Sequence, residues 1–354
     1  MEGIQRQRRQ FVASKTAELS SYLEAKKRSS TGSELIVLNG WGEIDNRSRI
    51  VPYILKRSVK TICRSGGYWV RTGGIGVVVN PGQDFLSRFH KAGLHIWDVD
   101  HVIVTDEEEG SLESVWAFNK EVNSMLQQWN LSPHIISYWL HPHSYEKHAR
   151  NMRPTCRAEQ GSLHQLEVFC EDDHFESVCL TENVQLDFCR TNPSLGVSSP
   201  LQIRLRASDS IGFLLGGRAK QESHEFLSSC NALVVGIGDV LLEDVSGISQ
   251  TEGMLGYQGV LSLLQSSSAK ICIVSEFGFT EGDLRTEVIK QLRHDLSDRE
   301  TVILPGEDGV EIFIENLSVR APGLETLTRA QEVKTFRKSG MYSELVFADT
   351  SAVL

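Results

Sequence analysis

Three short stretches carry side chains whose types and spacing can do chemistry. The run Asp106-Glu107-Glu108-Glu109 is the tightest acidic cluster in the chain, and carboxylate oxygens suit hard cations such as Mg²⁺, Mn²⁺ or Ca²⁺ better than zinc. The same run leads through Gly110 and Ser111 into Leu112-Glu113-Ser114-Val115, where Ser111 is a good cap for a helix and negative charge favours the helix start. A hard-metal site and a solvated acidic loop before a helix both fit those residues. His141-Pro142-His143 and His148, followed by His164 and His174, form the densest histidine group. An H-x-H pair in a strand shares one face and can hold a metal, but Pro142 spoils regular strand pairing, so exposed loop histidines are expected. Gly216-Gly217-Arg218-Ala219-Lys220 sits between an apolar run and a helical pattern, a place where backbone amides and two cations can hold a phosphate or carboxylate. Its spacing matches neither a P-loop nor a dinucleotide fingerprint, so a plain strand-to-helix turn is the competing reading. Covalent hydrolysis has no signature, because no Ser or Cys sits in a G-x-S-x-G elbow. The six tryptophans are too dispersed to form a stacking platform.

These stretches need a scaffold, and the composition provides one. With 354 residues, 40% hydrophobic, 23% charged and only 9 Pro, the chain has enough apolar material for a packed core, which excludes disorder, collagen and a small disulfide scaffold. A net charge of −10 opposes the phosphate backbone and argues against bulk nucleic-acid binding. No run of about 18 apolar residues occurs and the N-terminus lacks an apolar signal region, so a cytoplasmic protein outside the membrane is expected. Seven cysteines without a C-x-x-C pair fit reduced, mostly buried thiols.

Apolar residues at Ile4, Phe11, Val12, Leu19, Tyr22 and Leu23, with Arg and Lys on other faces, predict one basic amphipathic helix over residues 4 to 28. It either folds back onto its own domain or serves as a docking arm. Beyond it, short runs apolar on both faces, at 75–80, 99–105, 211–215, 232–237, 270–276 and 310–314, alternate with helical patterns near 83–93, 111–129, 219–229 and 281–296. That alternation is α/β with buried sheets. Gly74-Ile75-Gly76-Val77-Val78-Val79-Asn80 is echoed by Ser210-Ile211-Gly212-Phe213-Leu214-Leu215-Gly216, which predicts two related halves packed face to face. The segment 140–182 interrupts the rhythm and reads as an irregular insertion.

The passages Gly66-Gly67-Tyr68-Trp69-Val70, Gly76 to Gly82, Asp84-Phe85-Leu86, Phe89 to Gly93 and Asp98 to Thr105 closely resemble the metallo-β-lactamase fold hydrolases of bacteria. The likeness runs on through Met254 to Gly259, Ser275-Glu276-Phe277-Gly278 and Leu304 to Gly309. It implies a four-layer αβ/βα sandwich over residues 33–320, with the helix of residues 1–32 before it and a C-terminal extension over 321–354. That extension has a helical pattern at 330–334 and a strand-like run at 344–347.

In that family, H-x-H-x-D-H after the second strand supplies ligands to a pair of zinc or similar ions, and a metal-bridging water becomes the nucleophile. Here the stretch after Thr105 is Asp106-Glu107-Glu108-Glu109-Gly110-Ser111. Asp106 and Glu108 replace the two leading histidines, Gly110 the catalytic Asp, and Ser111 the last His. A third-motif His falls on Cys189-Arg190-Thr191-Asn192-Pro193, the bridging Asp falls on Gly217, and the final His on Met254. The resemblance therefore implies a fold kept and a metal chemistry lost, with no catalytic residue and no zinc expected. It also turns the emptied cleft toward anions, with Arg190 and Arg218 as candidate contacts. Families of this kind pair active and inactive members, as in RNA 3′-end processing, and bacterial relatives occur in nucleic-acid or antiphage contexts. The expected role is a pseudoenzyme that scaffolds or regulates a protein partner, such as an active relative. The alternatives are a sensor of a nucleotide or other phosphorylated ligand, and a residual hydrolase using the acidic loop.

Overall fold

A computed structural model describes residues 2–29, 32–38, 40, 67–82, 85–105, 112–141, 144–146, 148, 164–168, 176–189, 201–205, 209–215, 221–238, 255–277, 285–307 and 309–320. The long helix α1 (Glu2–Ser29) leads into β1 (Glu34–Val37), β2 (Tyr68–Thr72), β3 (Ile75–Val79), α2 (Phe85–Lys91), β4 (His101–Val104), α3 (Leu112–Gln128), β5 (Ile136–Leu140) and β6 (His164–Val168). The second half runs through β7 (Glu176–Thr181), β8 (Val184–Phe188), β9 (Leu201–Leu205), β10 (Asp209–Leu214), α4 (Gln221–Leu227) and β11 (Ala232–Gly236). It ends with α5 (Tyr257–Ser266), β12 (Ile271–Ser275), α6 (Arg285–Asp295), β13 (Val302–Pro305), β14 (Glu311–Phe313) and β15 (Ser318–Arg320).

The strands form one sheet of order β15-β14-β1-β2-β3-β4-β5-β6 and another of order β13-β12-β11-β10-β9-β8-β7. Alternation along the central strands explains why their sequences are apolar throughout. In β3, Val77 and Val79 face the core between the sheets while Val78 faces the helices outside. In β11, Ala232 and Val234 face inward and Leu233 and Val235 pack under the opposite helix layer. Each such Val or Leu contributes about 1.5–3 kcal/mol when fully buried. Both faces of the central strands of both sheets are thus covered, giving the expected helix–sheet–sheet–helix sandwich.

The internal echo has a topological meaning. β3 pairs antiparallel with β2 and parallel with β4, and β10 pairs antiparallel with β9 and parallel with β11. Each echoed segment is therefore the strand at which its sheet changes from antiparallel to parallel. The echoed glycines also share a cause. A Cβ on Gly76 would lie 1.7 Å from the Asp98 carbonyl oxygen, and one on Gly212 would lie 2.7 Å from Leu233 Cδ2 and 2.8 Å from Cys230 Sγ.

Two expectations are overturned. The segment 140–182, expected to be irregular, contains β6 and β7, the outer strands of the two sheets. His141 and His148, expected in an exposed loop, are 1% and 4% exposed. α1 is partly docked: Leu19 packs against the helix-side core of the first sheet, and the Tyr22 hydroxyl donates to Asp98 Oδ2, but residues 3–11 are all exposed. The expected elements at 330–334 and 344–347 lie outside the described residues. Among the described residues, no helix is long and apolar enough to cross a membrane.

Gly76→Ala tests the close approach. Its methyl meets backbone rather than a flexible side chain, so the variant should lose about 3 kcal/mol of stability. A urea midpoint equal to that of the wild type would contradict this packing.

Candidate functional site

The site is built where strand ends converge. β3, β4 and β5 are parallel neighbours, so Asn80, Thr105 and His141 follow their carboxyl ends along one edge. In the second sheet β8 and β10 both pair antiparallel with β9, and β10, β11 and β12 are parallel. Cys189, Leu215, Ile237 and Glu276 therefore mark a matching edge. A cross-sheet contact makes the two edges coincide. Tyr68, opposite Val79 in the β2–β3 register, bonds through its hydroxyl to Ser275 Oγ and donates to Glu276 Oε1 at 3.2 Å. In addition, the Glu276 amide donates to the Gly40 carbonyl at 2.7 Å. Carboxyl ends of parallel strands are where open α/β sheets hold ligands.

The sequence-derived candidates Asp106, Glu108, Gly110, Ser111, Arg190, Gly217, Arg218 and Met254 lie outside the described residues. The residues flanking them do not. Thr105 closes β4, Cys189 follows β8 and Leu215 follows β10, and Leu255 accepts from the Gly238 amide, beyond β11, at 2.8 Å. The structure thus brings the roots of all four candidate segments to one end of the sandwich.

Asn80 secures the root of the acidic segment. Its Oδ1 accepts from the Thr105 amide at 2.8 Å and its Nδ2 donates to Thr105 Oγ1 at 2.9 Å, joining the ends of β3 and β4. Asn80 does so with φ at +44°, and Glu276 at the end of β12 has φ at +49°. Asn tolerates that left-handed region and Glu does so less readily; such strain gathers at functional edges. The pattern Asn80-Pro81-Gly82 after an apolar run was a visible signal for such a turn. Tyr68 and Ser275 were not legible as site residues, because in sequence they are parts of apolar strands.

Chemically the described part of this edge is quiet. Burial, followed by the nearby Glu276 charge, pushes the Tyr68 hydroxyl well above its ordinary value, so at neutral pH it is a hydrogen-bond donor and not a base. Ser275 is fully buried with this phenol as its partner, an arrangement that holds a proton in place. His148 Nδ1 lies 3.3 Å from Glu113 Oε1 at the start of α3, linking the chain after β5 to the helix beyond the acidic segment. Among the described residues, no group of three or more His, Cys, Asp or Glu is placed to hold a metal ion.

Neither a protein-family model nor a curated protein matches the sequence. Solved structures do match in shape. The metallo-β-lactamase fold protein YhfI from Bacillus subtilis superposes with a TM-score of 0.57 at 10% identity, covering 79% of this chain and 98% of that one. This chain has the metallo-β-lactamase fold. A diphosphatase of the PhnP family (TM-score 0.53, 12% identity, 79% and 97% covered) and the short form of human tRNase Z (0.51, 12%, 79% and 99%) are similar in the same way. At the positions that the resemblance assigns to the dinuclear centre of metallo-β-lactamase hydrolases, Asp106, Glu108, Gly110, Ser111, Gly217 and Met254, the donor set would not suit that centre. Carboxylates, glycines, serine and methionine stand there in place of imidazoles and the bridging carboxylate, and neither glycine nor thioether can replace those ligands on a borderline cation.

Asn80→Ala removes both bonds to Thr105 and leaves a Cβ residue at positive φ, so a loss of about 2–3 kcal/mol is expected. Asn80→Asp keeps an acceptor for the Thr105 amide and hydroxyl and should lose less. Denaturation midpoints in the opposite order would refute this account of the strand-end junction.

Proposed function

We propose that this chain is a noncatalytic metallo-β-lactamase-fold protein that acts as a scaffold or regulatory subunit for a protein partner. The observation that carries the reading is the contrast at β4. The Asn80–Thr105 junction is intact, yet the six residues that follow, Asp106 to Ser111, contain no imidazole. Loss of single outer-sphere partners already lowers metal affinity or activity about 10–100-fold, so replacing nearly all direct ligands removes the ordinary centre. What persists is a stable frame with a polar rim, suited to binding. Mass-spectrometric metal analysis of full-length protein, purified without chelator or histidine tag, should find less than about a tenth of an ion per chain. One or two tightly held ions would overturn the reading and point to a hydrolase using the acidic segment.

A second reading, a sensor of a nucleotide or other phosphorylated ligand, is favoured by topology. Arg190 and Arg218 follow in sequence the carboxyl ends of β8 and β10, which stand on one edge with only β9 between them. A ligand at 100 times its dissociation constant adds about 2.7 kcal/mol of stability. A nucleotide panel should then raise the melting temperature of the wild type and fail to do so for Arg218→Ala; a flat response of the wild type excludes this reading.

A further inference from the structure

Among the described residues, the exposed large apolar side chains are Ile4, Phe11, Leu23, Met125 and Ile135. Three belong to α1, and the other two are close in sequence to residues of the corner of the domain to which α1 is fixed. At that corner Tyr22 of α1 bonds to Asp98 and meets the His95 ring at 4.9 Å. The neighbouring Trp97 stacks on His134 at 6.1 Å, and Asn123 of α3 binds the His134 backbone through both its amide atoms. Ile135 directly follows His134 and Met125 lies just beyond Asn123. The corner precedes β4 and β5, so it stands at the end of the sandwich opposite the candidate site.

The helix continues well past its support. From Tyr22 to Ile4 it spans about 27 Å at 1.5 Å per residue, and residues 3–11 are all exposed. A short helical segment without tertiary cover is marginal in water, and this one presents Ile4, 73% exposed, and Phe11, 57% exposed, seven residues apart on one face. Charge selects what covers it. Residues 2–29 hold seven Lys or Arg and three Glu, a net +4 in a chain of −10, so the rest of the chain carries −14. A second copy therefore offers the basic arm an acidic body that also bears the exposed Met125 and Ile135. If two copies are related by a two-fold axis, each arm reaches the other's corner and the contact closes on itself.

We propose that the chain forms a homodimer by reciprocal exchange of the α1 arm, with Ile4 and Phe11 of one copy covering Met125 and Ile135 of the other. The proposal does not depend on the noncatalytic reading. Sedimentation velocity of the full chain over about a hundredfold range of concentration should show a dimer that weakens with dilution and with added salt. Ile4→Ser with Phe11→Ser, and separately Met125→Ser with Ile135→Ser, change only exposed side chains, so both pairs should leave the circular dichroism unchanged. Each pair should shift the population to monomer, by at least about tenfold in dissociation constant. A wild type that stays monomeric throughout, or a dimer that survives either pair of substitutions, overturns the proposal.

Discussion

Burial of the central strands on both faces is the constraint from which the rest of the structure follows. Val77, Val78 and Val79, or Leu233, Val234 and Val235, cannot lie in a sheet with one wet face without exposing part of an apolar run. Two sheets must therefore meet face to face, and each needs a helical layer on its outer side. The tight sites in that arrangement are the places where backbone nearly touches backbone, as at Gly76 beneath Asp98 and at Gly40 beside Gly306. Those glycines answer to space between layers and not to turn geometry.

The layers also decide where chemistry can occur. Polar loops leave the parallel strands at their carboxyl ends, and the sandwich holds the two sets of ends level through Tyr68, Ser275 and Glu276. This contact sits between the sheets, and the Asn80–Thr105 junction lies at the root of one loop. Neither junction uses a residue at a metal-ligand position. The frame therefore does not rely on Asp106 to Ser111, Gly217 or Met254. The pairs at the other end, Glu34 with Arg71 at 2.7 Å and Tyr22 with Asp98, likewise hold elements together without bearing on the cleft.

Much was legible from residues alone because it depends on local periodicity and local steric demands. The α/β alternation, the basic helix at the N-terminus and the echo between 74–80 and 210–216 all stand in contiguous stretches. Their physical causes, a pleat of two residues and a helical turn of 3.6, act over a few residues. The fold family was visible for the same reason, in ordered short motifs along the chain.

Tertiary structure decided what depends on contacts between distant segments. Tyr68 and Ser275 are 207 residues apart, and nothing in an apolar strand marks which of its side chains will find a partner in the opposite sheet. His141 and His148 looked exposed because Pro142 breaks the strand pattern, yet both are buried, and His148 meets Glu113 at the start of α3. The edge strands β6 and β7 were hidden in an irregular composition, since an outer strand needs fewer apolar residues than a central one. The sequence by itself determined the layers, the basic helix and the acidic, imidazole-free run after Thr105. Which strand ends meet, and how far α1 stands clear of its own domain, were decided only when the layers packed, because those are properties of distances between chain segments.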